Sequence, residues 1–278
     1  MKNLSGKVSV VTGGGSGIGR ATALGLAAQG STVAVADLDE GTAKETAAAI
    51  AAAGGRASAH QVDVTSEDRM RALVEEVLSE HNVVDVVVNN AGIAPPPTRA
   101  VDIDLGTFRR VMDVNFWGMV YGSLFFLPHL LTRTEANLVN VSSNAGIVGY
   151  SRMATYSTSK FAIRGFTESL RMELRKSPVK LTVVCPGATH TAIMSNSPVM
   201  DDHQRRQLQS AWDRSFGRPA EAVGDAIVQA VLKNRPRCLI GPDTALLDVF
   251  ARVLPGLHSR VLGPGTDMAL NKMLGTKG

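Results

Sequence analysis

VVTGGGSGIGRA, residues 10–21, is the stretch whose reading decides the fold. Its valines end a short β-branched run, VSVVT (8–12), glycines follow at 13, 14, 15, 17 and 19, and an Ala-rich helical pattern continues to about residue 29. A glycine turn between strand and helix lets backbone N–H groups and the helix N-terminus approach a pyrophosphate, where a Cβ would hold the phosphates away. Gly13, Ser16, Gly17, Ile18 and Gly19 are therefore candidate cofactor contacts. A glycine cluster is also an ordinary tight turn, so its surroundings must decide.

The next run, TVAVAD (32–37), ends in Asp37, eighteen residues past Gly19. A carboxylate there accepts hydrogen bonds from the adenosine ribose hydroxyls and repels a 2′-phosphate, which selects NAD. Two other readings stand beside this one: Asp37 caps the following helix together with Asp39, or Arg20 meets the phosphate of NADP. Asp63 and Val64, after the third run, would flank the adenine. Asn89, Ala91 and Gly92 in NNAG would line the next strand end, where small residues admit the ribose, although the tetrapeptide equally suits a turn that closes a strand.

Outward from this unit the pattern repeats. Strands are expected at 8–12, 32–37, 57–62, 83–89, 137–142, 180–185 and 237–241. Helices are expected at 17–29, 40–53, 66–81, 105–131, 153–177 and 219–234, with two more after 244. Apolar strands separated by helices indicate a parallel sheet covered on both faces. The fold class is thus α/β, a single doubly wound Rossmann-type domain over 1–278 with about seven strands. The long stretch 188–216, after the sixth strand, is expected to act as a substrate lid, and 244–278 forms a helical extension.

Of the 278 residues 44% are apolar and 19% charged, a composition that excludes disordered and fibrous classes. The formal charge of +4 leans toward the end, where 203–278 hold eleven Lys and Arg against six Asp and Glu. The arginines are scattered and no nucleic-acid-binding motif accompanies them, so no nucleic-acid partner is expected. Cys185 and Cys238 lack a CxxC or a neighbouring His cluster; they read as buried thiols, and no metal is expected. With no cleavable leader and no run of about 18 apolar residues, a cytoplasmic setting is expected.

The chemistry is concentrated in ATYSTSKFA (154–162), where Tyr156 and Lys160 stand about one helical turn apart on one face. Ketone reduction needs a hydride, which a nicotinamide supplies, and a proton, which the protein must supply. A phenol with its ordinary pKa of about 10 is a poor base at neutral pH. Lys160 and the cationic oxidised nicotinamide are expected to lower it.

Taken in order, TGGGSGIG (12–19), Asp63, NNAG (89–92), DVNFWG (113–118), NVSSNAG (140–146) and the YxxxK of Tyr156–Lys160 resemble the short-chain dehydrogenase/reductase family over about residues 5–242. The resemblance implies catalytic roles for Asn115, Ser143, Tyr156 and Lys160. Ser143 is selected over Ser142 because the family's serine lies about 13 residues before the tyrosine. Ser143 would hold the substrate oxygen, Lys160 would also bond the nicotinamide ribose, and Asn115 would position a water leading from Lys160 to solvent. Pro186 and Gly187 would form the turn after the sixth strand, with Thr189 and Thr191 bonding the nicotinamide carboxamide.

Ile93, Ala145, Val148, Met153, Ile193, Met194 and Met200 would give the cleft an apolar wall, so the expected substrate is a lipophilic secondary alcohol or ketone. The resemblance implies a homodimer through the helices at 105–131 and 153–177; the extension puts the family's tetramer in doubt. Leu246, Leu247, Val249, Phe250, Val253 and Leu254 recur at helical spacing. That segment reads either as a helix packed over the cleft or a partner subunit, or as an amphipathic piece touching a membrane surface.

Overall fold

Odd and even residues of each central strand go to different cores. Val11, Val33, Val35, Val88, Val139 and Val141 pack on one side of the sheet, with Ala23, Leu26, Ile50, Val223 and Ile227. Val10, Ala34, Ala36, Val87 and Leu138 pack on the other, with Leu73, Val77, Phe126, Leu130 and Leu170. Successive side chains of a strand point to opposite faces, so runs that are apolar at every position must be covered twice.

The chain, seen in a computed structural model, is described at residues 1, 3–190, 193, 199, 200, 202, 206, 217–257, 260, 261, 263–265 and 268. Seven parallel strands form the sheet: β1 (Val8–Thr12), β2 (Thr32–Asp37), β3 (Arg56–Gln61), β4 (Val86–Asn89), β5 (Ala136–Val141), β6 (Val179–Pro186) and, last in the chain, β9 (Arg237–Ile240). Their order is β3-β2-β1-β4-β5-β6-β9. A two-residue ladder of β7 (Thr189–His190) with β8 (Arg218–Pro219) brackets the expected lid region, most of which lies outside the described residues. The chain reverses direction in the sheet between β3 and β4, which places the ligand crevice of such folds beside β1 and β4.

The helices are α1 (Gly17–Ala28), α2 (Glu40–Ala52), α3 (Glu67–His81), α4 (Leu105–Met112), α5 (Gly118–Leu131), α6 (Ala154–Glu173), α7 (Ala220–Leu232) and α8 (Pro242–Val253). Ser66 caps α3 by accepting from the Arg69 N–H, and Asp104 caps α4 by accepting from the Thr107 N–H. Pro219 precedes α7 in extended conformation.

The sequence reading runs long in two places. The expected strand 83–89 is regular only over Val86–Asn89; just before it, Asp85 bonds through its backbone to Val8 and Asn137 and through its carboxylate to the Val8 N–H, Lys7 and Arg133. The expected helix 105–131 is continuous in direction but contains a π-helical turn, Asp113–Trp117, between α4 and α5. By length and composition Leu105–Leu131 would pass for a membrane span, yet half of its most apolar window is buried. Phe126 and Leu130 are fully buried against the sheet, each stabilising by about 1.5–3 kcal/mol, as in a core helix. Of the two helices expected after 244, α8 forms; the second lies largely outside the described residues.

Candidate active site

The glycine turn is shaped by what it cannot hold. A Cβ on Gly19 would stand 1.9 Å from the Gly13 carbonyl oxygen, and Gly17 has φ +50°, so these two positions of the passage from β1 into α1 call for glycine. Ser16 occupies the N-cap of α1 but makes no side-chain cap bond, and no acidic residue stands in the first turn. The helix N-terminus therefore keeps both its positive end and its N–H donors for an anion.

A cavity of about 270 Å³ opens over this turn, lined by Gly13, Ser16, Gly17, Ile18, Asp37, Asp63, Val64, Ala91 and Gly92 among others. Asp37 reaches into the glycine turn: its Oδ2 accepts the Gly15 N–H at 2.9 Å and its Oδ1 accepts the Asp39 N–H at 3.1 Å. Asp39, not Asp37, caps α2, accepting from the N–H groups of Gly41 and Thr42. Asp63 is held in its loop by the backbone N–H and hydroxyl of Thr65, and Arg110 reaches the same hydroxyl at 3.2 Å.

At the end of β4 the structure differs from the sequence reading. Asn89, expected to line the cavity, turns to the opposite face, where its Nδ2 donates to Asn140 Oδ1 at 2.8 Å and Ser123 Oγ at 3.1 Å. The residue at the cavity is Asn90, whose Nδ2 donates to the carbonyls of Thr12 and Gly13 and ties β4 to the glycine turn. Pleating forces this choice, since neighbouring side chains cannot share a face. Sequence reasoning also missed Arg110, Val62 and Leu38 in the cavity wall.

Ser143, Tyr156, Lys160 and Asn115 converge at the carboxyl ends of β4 and β5. Ser143 caps a 3₁₀ turn, Asn144–Gly146, by accepting from the Ala145 N–H. Ser142 is buried and donates to the Lys160 carbonyl at 2.7 Å, so its hydroxyl serves the backbone of α6. Tyr156 and Lys160 share a face of α6, with Lys160 Nζ 5.6 Å from the centroid of the phenol ring. Lys160 is buried and donates to the Val141 carbonyl at 3.2 Å. Asn115 sits in the π turn; its Nδ2 donates to Ile93 O and Ser159 Oγ, and its Oδ1 accepts the Ile93 N–H at 2.8 Å. Both its amide hydrogens are thus spent on fixing the loop after β4 and on α6.

Burial sets the protonation of the pair. Desolvation pushes the Tyr156 phenol up to about 12, while the Ser143 hydroxyl pulls it the other way. Desolvation brings the Lys160 ammonium down to about 8, opposed by Cys185 beside it. In the cofactor-free protein, desolvation and the Ser143 hydroxyl are the influences on the phenol, and Lys160 is not among them.

After β6, the Gly187 N–H donates to the Ile240 carbonyl and Thr189 Oγ1 donates to the Gly187 carbonyl, closing the turn that begins at Pro186. Thr191 and Met194 lie outside the described residues. Of the expected apolar wall, Ile93 and Ile193 do line the cavity. Val148 does not: it belongs to a buried cluster with Ile147, Val183 and Cys185, packed under Tyr150, Leu239, Leu247 and Ala251. Met153 lines a second cavity of about 280 Å³ whose other walls include Arg152, Asp102, Thr107 and Val199, so that side of the molecule is less apolar than expected.

Helix α8 lies against this cluster. Its Asp248 pairs with both Arg237 nitrogens and with Arg252, and Asp243 pairs with Arg218. Leu247 and Ala251 face inward, whereas Leu246, Val249 and Val253 are exposed.

A Rossmann-type sheet, an uncapped glycine turn and a buried lysine beside a tyrosine at the strand ends define the class of dinucleotide-binding oxidoreductases. Comparison with known proteins narrows the class. The chain matches the short chain dehydrogenase family over residues 7–201. It is 34% identical over 271 residues to the oxidoreductase SadH of Mycobacterium tuberculosis, covering 95% of this chain and 97% of that protein. It is also 34% identical to a 2,5-dichloro-2,5-cyclohexadiene-1,4-diol dehydrogenase of Sphingobium indicum, covering 82% and 90% of the two chains. A crystal structure of a short-chain dehydrogenase/reductase from Burkholderia phymatum in complex with NAD superposes with a TM-score of 0.84 at 28% identity, covering 92% and 96%. The chain belongs to the short-chain dehydrogenase family, and it is an oxidoreductase.

Proposed function

We propose that this enzyme interconverts a lipophilic secondary alcohol and its ketone, with NAD as the hydride carrier. The observation that carries the reading is Tyr156 beside Lys160 on one face of α6, next to Ser143 and adjoining the cavity over the glycine turn. The cavity fits a dinucleotide: the first turn of α1 offers uncapped N–H groups to a pyrophosphate, and Asp37 offers carboxylate oxygens at the ribose end. NAD is favoured over NADP because Asp37 would repel a 2′-phosphate, while Arg20, the cation that the sequence offered for that phosphate, stands 4.0 Å from Glu45.

When bound, the nicotinamide supplies the hydride acceptor for oxidation or the donor for reduction, and its oxidised form adds a positive charge. In the oxidative direction Tyr156 takes the hydroxyl proton of the substrate as the C–H electron pair leaves with hydrogen and the C=O bond forms. Ser143 donates to the substrate oxygen and stabilises its developing charge. In reduction the same phenol returns the proton. With its own surroundings holding the phenol near 12, the phenolate depends on the positive charge that arrives with the oxidised cofactor.

Ring alcohols are the first substrates to try, since the Sphingobium relative is named for a cyclic diol and Ile93 and Ile193 offer apolar contact here. A homodimer in the cytoplasm completes the reading. Trp117 of the π turn, Leu124 of α5 and Phe161 of α6 are exposed around a shared buried contact of Met119, Val120 and Ile163. Cys185 and Cys238 are buried and unpaired, as suits a reducing compartment. The test is fluorescence titration with NADH and NADPH, followed by a panel of cyclic and open-chain secondary alcohols read by NADH absorbance. Tighter NADH binding and turnover of secondary but not primary alcohols is expected; tighter NADPH binding, or no turnover across the panel, would refute it.

A further inference from the structure

His60 and His81 are 21 residues apart in the sequence and meet at the edge of the sheet. β3 is an edge strand, and Ser58 and His60, two residues apart, share its face toward α3, whose last two residues are Glu80 and His81. Ser58 Oγ stands 2.8 Å from Nε2 of His60 and 2.8 Å from Nε2 of His81. The Glu80 carboxylate spans the pair, with Oε2 3.8 Å from His60 Nε2 and Oε1 3.8 Å from His81 Nε2. One ligand atom from each of His60, Glu80 and His81 falls within 4.8 Å of the others.

We propose that His60, Glu80 and His81 form a binding site for a divalent transition-metal ion, with zinc as the best match. Two imidazoles and a carboxylate are a borderline donor set that suits zinc, whereas magnesium and calcium ask for oxygen ligands. Tetrahedral zinc with bonds of about 2.0–2.1 Å holds its ligand atoms roughly 3.3 Å apart. Each Glu80 oxygen stands 3.8 Å from one of the two nitrogens, and Glu80 is half-exposed, so a turn of its side chain would bring the carboxylate onto an ion held by both histidines. The two histidine side chains are 7% and 11% exposed, so they are already ordered while the carboxylate faces solvent, from which the ion would enter. The fourth position falls to water or to Ser58 Oγ.

The surroundings also orient the first ligand. His60 Nδ1 lies 3.3 Å from the Glu76 carboxylate, which Arg69 holds at 3.0 Å from the other side. A proton on Nδ1 facing that carboxylate leaves the Nε2 lone pair directed at the cluster. This is the carboxylate–histidine pairing that fixes the tautomer and raises the basicity of a metal ligand. No other group of three such residues comes together among the described residues.

The site is separate from the catalytic cluster: β2, β1 and β4 stand between β3 and the strand that leads to Ser143. An ion there would clip the edge strand to the end of α3, protecting an unpaired strand edge and tightening the fold.

The test uses the full chain without an affinity tag, stripped with a chelator and titrated with zinc chloride by calorimetry. One equivalent should bind and raise the melting temperature, and magnesium at the same concentration should do neither. Glu80→Gln, at a half-exposed position, and His81→Asn should each weaken zinc binding at least tenfold, the scale seen when even an outer-shell partner is lost. Glu80→Gln should keep the wild-type melting temperature without zinc and its alcohol turnover within twofold. Absence of stoichiometric binding, or equal zinc affinity in wild type and both variants, would overturn the proposal.

Discussion

At the scale of single residues, Lys160 is held from several sides. It is 3% exposed, its carbonyl accepts from Ser142, and its ammonium is brought by desolvation from 10.5 to about 8. The sign of the consequence follows from proton linkage. Below pH 8 the folded protein carries a buried charge that the unfolded chain carries in water; between about 8 and 10.5 the folded protein has shed it while the unfolded chain has not. The destabilisation is therefore full below 8 and relieved as pH rises through that window. Lys160→Met removes it, so in cofactor-free denaturation the stability advantage of K160M over wild type should shrink by up to about 3 kcal/mol between pH 8 and 10.5. An advantage independent of pH would show that Lys160 is not desolvated. Residue-scale detail was only partly legible in the sequence. Tyr156 and Lys160 were readable because spacing on a helix fixes who shares a face, and Ser143 because of its distance before the tyrosine in the family the sequence resembles. Asn89 and Asn90 were not, because a pleated strand gives adjacent residues opposite faces and nothing in NNAG says which face α1 covers.

At the scale of elements, the sequence was reliable where periodicity continued and unreliable where one side chain broke it. β4 starts after Asp85, whose fully buried carboxylate is held by its partners Lys7 and Arg133. The π turn at Asp113–Trp117 is invisible to an apolar pattern, since one extra residue per turn shifts the pattern only locally. Helix α8 was expected from Leu246, Leu247 and Val249, yet polar groups tie it down: Asp248 with Arg237 and Arg252, and Asp243 with Arg218. Arg237 holds the Asp248 carboxyl below the usual range, so this contribution is present above the ordinary carboxylate pKa and lost as pH falls below it. Asp248→Asn should cost about 2 kcal/mol in urea denaturation and speed protease cleavage between 242 and 257. Unchanged cleavage would mean that Leu247 and Ala251 alone hold the helix.

At the scale of the whole molecule, the doubly wound sheet was legible from one glycine turn and seven apolar runs, because a parallel sheet covered twice leaves few other arrangements for them. What the sequence could not supply was proximity across the sheet, as between His60 and His81. Assembly follows from the same surface logic. Trp117, Leu124 and Phe161 leave an apolar face across the π turn, α5 and α6, and light scattering of the purified protein should report a dimer that Leu124→Arg converts to a monomer. A wild-type monomer would remove that face from the account. The central claim rests on a single phenol. Turnover of a secondary alcohol by Tyr156→Phe should fall at least 10³-fold while NADH affinity, read by fluorescence, stays within a few-fold of wild type. Near wild-type turnover in that variant would contradict it.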